Sequence, residues 1–239
     1  MKDGFGGARI ILGIDRLDCI KGIPQKLRAF DRLLEMEPDL VGKCVLVQVA
    51  IPSREGLKAH QDLKEEIQQL VGKINGKYAM INYAPVHFLF TSLEPDELTA
   101  LYAAADICFV SSLRDGMNLV CFEYIACHNY KPSRSSHEAR STGSLVLSQF
   151  AGAADLLDGA LLVNPWDQEH CANTLSQALS MPATEARKRM SQLGARIEQQ
   201  TRSVHSILHS SPQTKDANKY QFSLGSRFRK PAGEDRKAC

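Results

Sequence analysis

The chain reads as an α/β protein, a doubly wound Rossmann-like parallel sheet, and three observations predict that class. Short apolar, β-branched runs alternate with amphipathic stretches from Arg9 to Ser180, which is the βαβ signature of a parallel sheet. Two polar loops, Asp15–Gly22 and Arg114–Val120, directly follow strand-like runs, where a parallel sheet places its ligands. A hydrophobic content of 44% over 239 residues is ample for a sizeable core, in one large domain or two small ones.

The elements follow in order. Arg9–Ile14 reads as a strand, Ile23 to Met36 as a helix, Cys44–Val49 as a strand and Gly56 to Val71 as a helix. The alternation then predicts a strand over Val86–Phe90, a helix over Pro95–Ala104, a strand over Asp106–Val110 and a helix over Asn118–Cys127. The last units are a strand at Ser144–Leu147, a short helix near Gly152, a strand at Ala160–Val163 and a helix from Gln168 to Ser180. Residues Asn129–Thr142 are polar and rich in Ser and Arg, so a mobile surface loop is expected there. After Ala195 the periodicity fades, and residues 201–239 are expected to form a disordered tail behind a domain of residues 1–200.

Composition removes several function classes. With 29 basic and 27 acidic residues the formal charge is +2, without the basic stripe that nucleic acid demands. No run approaches the roughly eighteen apolar residues of a membrane span, and the amino terminus lacks an apolar signal segment, so a cytoplasmic location is expected. Seven cysteines are scattered without a Cys-x-x-Cys pair, and several sit in apolar runs; they read as buried thiols. The seven histidines show no metal-ligand spacing with a third ligand, so neither metal nor cofactor is expected.

What remains is an anion site. The loop Arg114-Asp115-Gly116-Met117-Asn118-Leu119-Val120 opens a helix whose first amides and dipole favour negative charge. Arg16 and Lys21, in Asp15-Arg-Leu-Asp-Cys-Ile-Lys-Gly22, lie just past another strand. Two loops thus deliver two cations and a helix terminus to one diphosphate. Taken singly, each residue has a plainer reading: Arg114-Asp115 as a surface pair, Arg16 and Lys21 as loop charges, Glu123 as an exposed helical carboxylate. Only their joint placement after strand ends raises the functional reading.

These residues, with Pro52-Ser-Arg54, Ile74-Asn-Gly-Lys77, Glu123-Tyr124, Gln149-Phe-Ala-Gly-Ala-Ala154 and Val163-Asn-Pro-Trp166, resemble the trehalose-6-phosphate synthases in order and spacing. The resemblance covers residues 9 to 195 and corresponds to the carboxyl-terminal, donor-binding lobe of a retaining two-lobed (GT-B) glycosyltransferase. It implies UDP-glucose as donor, glucose 6-phosphate as acceptor and no metal. By the same resemblance Arg16 and Lys21 stabilise the departing diphosphate, and the amides of Asn118, Leu119 and Val120 hold the same phosphates. Gly116 would keep the loop clear beside the sugar, with Met117 packing next to it. Asp115 would accept hydrogen bonds from glucose hydroxyls, Glu123 would grip both ribose hydroxyls, and Arg54 would reach the acceptor phosphate. Cys19 stands where the family usually has an aromatic residue.

In that family an amino-terminal lobe supplies the acceptor site, a glycine-rich loop and a histidine near the anomeric carbon. No second set of strands precedes Arg9, so the expectation is a truncated product that binds UDP-glucose weakly and turns over little or nothing. Two readings stay open. One is the donor half of a UDP-forming synthase. The other is a non-catalytic, nucleotide-sugar-binding or regulatory subunit that docks onto a complete synthase or a trehalose-phosphate phosphatase subunit. A fused phosphatase is disfavoured, since no Asp-x-Asp-x-Thr/Val motif occurs.

Overall fold

The computed structural model describes residues 5–52, 58–129 and 143–210, with side chains described as far as residue 200. Contacts divide the chain into Met1–Gln199 and Gln200–Cys239. The first unit contains every strand among the described residues; of the second, residues 200–210 are described and are helical. Six parallel strands, β1 (Arg9–Arg16), β2 (Cys44–Ile51), β3 (Val86–Phe90), β4 (Ile107–Val110), β5 (Ser144–Ser148) and β6 (Leu161–Val163), form one sheet. Their order is β3-β2-β1-β4-β5-β6. The helices are α1 (Ile23–Met36), α2 (Lys58–Tyr78), α3 (Pro95–Ala104), α4 (Leu119–Asn129), α5 (Gln168–Ser180) and α6 (Ala183–Ser210).

Both faces of the sheet are covered, which is why its strands are nearly continuous apolar runs and do not alternate. On one face Ile11, Leu46, Phe109 and Val146 pack against Leu27 and Phe30 of α1, Ile67 of α2 and Leu175 of α5. On the other, Ile10, Leu12, Val47, Val110 and Leu147 meet Leu101 of α3, Tyr124 and Ile125 of α4, and Met190 and Leu193 of α6. The helices that follow β1 and β4 therefore lie on opposite faces, although the two strands are neighbours. Their connecting loops meet at the carboxyl ends of the strands, at the point where strand order reverses, which is where an open α/β sheet forms its crevice.

The expected doubly wound class is what the structure shows, and α1, β3, α3 and α5 fall where the pattern puts them. One helix runs further than the pattern indicated, and another, α6, lies where no helix was expected. α2 continues past Val71 to Tyr78, because Leu63, Ile67 and Ile74 keep one buried stripe through Gly72. The side chain of Asn75 then pairs with both the N–H (2.9 Å) and the carbonyl (3.0 Å) of Val86, fastening the helix end to β3. α6 buries Ala186, Met190 and Leu193, but from Ala195 to residue 200 its side chains are mostly exposed, so the apolar period fades while helix-forming residues continue. Residues 201–210, expected in the tail, belong to this helix; 211–239, and 130–142 of the polar segment, lie outside the described residues. Among the described residues no helix is long and apolar enough to cross a membrane, and no cluster of side chains is suited to a metal ion.

Candidate functional site

The loop after β1 is shaped by its own side chains. Asp18 Oδ1 accepts from the N–H of Ile20 at 3.2 Å, closing a single 3-10 turn over Cys19–Lys21. Gly22 then reverses the chain at φ +66°, and a Cβ there would fall 2.1 Å from the carbonyl oxygen of Ser111. Only glycine allows that approach. The loop after β4 uses it: Ser111 Oγ donates to Gly22 O (2.9 Å) and Lys21 O (3.3 Å), and the N–H of Leu113 donates to Ile20 O at 2.7 Å. Two loops about ninety residues apart in sequence are thereby zipped together.

Asp115 is the hub. Its Oδ2 accepts from Lys21 Nζ at 2.6 Å, Asn118 Nδ2 at 2.8 Å and Ser112 Oγ at 3.1 Å. Burial pushes the Asp115 carboxyl up, but the hydrogen bonds from Lys21, Asn118 and Ser112 and the Lys21 charge outweigh it and hold the pKa below its usual value. Lys21 and Asp115 are each 13% exposed, so the pair faces the crevice without being open to bulk water. A third loop, after β5, closes in: the N–H of Asp115 donates to Phe150 O at 3.2 Å, and the N–H of Gly152 to Asp115 O at 3.3 Å. Gly152 is required there, since its Cβ would lie 2.4 Å from Gly116 O.

Asn118 caps α4 from a left-handed conformation, φ +54°, which asparagine tolerates better than most residues. Its Oδ1 accepts from the N–H of Cys121 at 3.4 Å, leaving the amides of Leu119 and Val120 directed out of the helix end. Open space lies over Gly116, where a Cβ would meet nothing within 4 Å. Met117, Leu119, Phe150 and Ile20 are exposed and form an apolar rim at this end of the sheet. Glu123 lies one turn beyond Leu119 on the same face of α4, about 6 Å along the axis. Its Oε2 accepts from Tyr102 Oη of α3 at 2.8 Å. Arg16 ends β1, exposed, with no ion-pair partner among the described residues. Arg54 lies outside the described residues.

Beneath the crevice is a charge pair that the sequence did not announce. Lys26 of α1 and Asp15 of β1 are 0% and 2% exposed, with Nζ 2.6 Å from Oδ2. Gln48 Nε2 adds a hydrogen bond to the same oxygen at 3.1 Å, and Lys26 Nζ lies 5.8 Å from the Phe109 ring centroid. The structure thus joins Lys21, Asp115 and Asn118 in one hydrogen-bonded cluster, with Gly116, Met117, Leu119 and Val120 in the same loop and helix start, Glu123 one turn along α4 and Arg16 at the end of β1. Ser111, Ser112 and Tyr102 join them. The only sequence signal for the two serines was their place directly after a strand, and Tyr102 reads as an ordinary apolar helix residue.

Strand order and loop junctions define a doubly wound α/β domain with a hydrogen-bonded loop cluster and a helix start at its switch point. The sequence matches glycosyltransferase family 20 over residues 1–205, and the chain belongs to that family. It is 48% identical over 185 residues to the UDP-forming α,α-trehalose-phosphate synthase A of Dictyostelium discoideum, covering 77% of this chain and 24% of that protein. It is 47% identical over 182 residues to the 56 kDa subunit of the Saccharomyces cerevisiae synthase, covering 76% and 35%. Among solved structures, a UDP-forming synthase from Burkholderia xenovorans in complex with glucose-6-phosphate superposes with TM-score 0.76 at 37% identity, over 83% of this chain and 42% of that one. A protein from E. coli bound with UDP-2-fluoro glucose superposes with TM-score 0.76 at 34% identity, over 88% and 46%. The chain therefore spans between a quarter and a half of the length of these relatives.

Proposed function

We propose that this chain is the donor-binding, carboxyl-terminal lobe of a UDP-forming trehalose-phosphate synthase, with residues 1–200 as its folded domain. The observation that supports the reading is the hydrogen-bonded junction of Lys21, Asp115 and Asn118 at the start of α4, with Arg16 closing β1, the strand beside β4. In the reaction the bond from the glucosyl C1 to the UDP oxygen breaks, a bond from C1 to O1 of glucose 6-phosphate forms on the same face, and the proton of that hydroxyl leaves with the diphosphate. Charge builds on the leaving diphosphate, where two cations and helix amides stabilise it without a metal. Lys21 has three donor hydrogens, so it holds Asp115 and still reaches a phosphate oxygen. Asp115 keeps a second carboxylate oxygen for glucose hydroxyls above the open space at Gly116, and Glu123 takes the ribose. The relatives bound to glucose-6-phosphate and to UDP-2-fluoro glucose support these two substrates.

Turnover belongs to the two-lobed protein, in which both walls of the cleft are assembled; residues 1–200 by themselves are expected to bind the donor weakly and transfer little. Full-length synthase and phosphatase subunits are its candidate partners, in the cytoplasm. Calorimetric titration with UDP and UDP-glucose tests the reading. Arg16→Ala and Lys21→Ala should each weaken binding by about 1.5 to 3 kcal/mol. Undetectable UDP binding by the unmodified chain, or binding indifferent to both substitutions, overturns it.

A further inference from the structure

The contact between Tyr102 and Glu123 joins two helices at the point where the nucleotide's ribose would lie. Tyr102 is 2% exposed, and its ring packs edge-on against Tyr124 at 6.5 Å between centroids. Its backbone carbonyl lies 3.0 Å from Nε2 of the buried His128 of α4. The tyrosine is therefore held at both ends, and its hydroxyl has one place to go: 2.8 Å from Glu123 Oε2. Burial, with the neighbouring Glu123 carboxylate, pushes the Tyr102 phenol far up, so it remains a donor at any working pH. Glu123 itself is half-buried, and nothing else described on α4 donates to its carboxylate.

We infer that Tyr102 is a positioning residue for ribose recognition, fixing the Glu123 carboxylate so that its other lone pairs face the two ribose hydroxyls. This rests on the reading of Glu123 as the ribose carboxylate. A carboxylate offers about four acceptor sites; Tyr102 occupies one, on Oε2, and leaves Oε1 and the remaining lone pair of Oε2 for a vicinal diol. A free glutamate would lose rotamer entropy each time it gripped the sugar, and here the phenol has already fixed it. Specificity for a ribonucleotide over its deoxy analogue then depends on a residue that never touches the ligand.

The experiment compares UDP, 2′-deoxy-UDP and inorganic pyrophosphate by calorimetry on the full chain and on the Tyr102→Phe and Glu123→Gln variants. Tyr102→Phe keeps the buried ring and removes one hydroxyl. It should weaken UDP about five- to tenfold, narrow the UDP to 2′-deoxy-UDP ratio, and leave pyrophosphate binding unchanged. A merely structural role would move all three ligands together, and that result overturns the inference. If Glu123→Gln narrows the ratio and Tyr102→Phe does not, the positioning role is overturned while the ribose role of Glu123 stands. If Glu123→Gln leaves the ratio unchanged, the reading of Glu123 fails and the inference with it.

Discussion

Lys26→Met removes one half of the charge pair beneath the crevice and isolates the other. In the parent the ammonium and carboxylate sit 2.6 Å apart at 0% and 2% exposure, so water reaches neither. Without Lys26, Asp15 Oδ2 keeps only the hydrogen bond from Gln48 at 3.1 Å. An uncompensated buried charge costs about 3 to 5 kcal/mol, whereas an exposed pair such as Arg32–Glu35 is screened by water and contributes little. The cost arises from the orphaned carboxylate, so Asp15→Asn added to Lys26→Met should restore at least about half of it. Urea unfolding followed by circular dichroism measures both, with the midpoint moving at unchanged slope. A Lys26→Met variant within about 1 kcal/mol of the parent, or a double variant less stable than the single, would refute the reasoning.

Gly22→Ala should lower stability by at least about 2 kcal/mol and abolish UDP binding, because a Cβ would strike the Ser111 carbonyl at a left-handed φ; unfolding midpoints and calorimetry check it. Gly13→Ala should destabilise by about 1 to 3 kcal/mol in the same urea assay, since its methyl would meet Gln48 Oε1 at 2.3 Å and Lys26 Nζ at 2.4 Å. The lowered pKa of Asp115 has a pH signature: the stability it contributes is fully present above the unfolded value of 3.8 and is lost as pH falls through the lower folded value. Asp115→Asn should therefore be less stable than the parent at neutral pH, with the gap closing in acid, and a gap independent of pH would show that the carboxylate's charge contributes nothing.

Layer order and most elements were legible because strands buried on two faces and helices buried on one leave different periods in sequence. The loops of the site were legible as charged, glycine-bearing segments after strand runs. What the sequence withheld were contacts between distant segments. Lys26 has the look of a solvent-facing helical lysine, and only the fold reveals that α1 turns it toward Asp15. Ser111 and Ser112 carry no motif until the loop after β1 is laid against them. The helix α6 was not named for a simpler reason: beyond Leu193 its side chains to residue 200 are mostly exposed, so little apolar stripe marks it.

The seam between β1 and β4 also governs the order in which this molecule can be made. β1 pairs with β2 early, across one helix, but its other edge waits for a strand some 96 residues downstream, where the N–H of Ile10 meets Asp106 Oδ2. Closing so long a loop is entropically slow, and until it closes an apolar central strand presents a bare edge to other chains. The junction of Lys21 and Asp115, which needs both edges of β1 dressed, is accordingly a late event that reports a finished sheet.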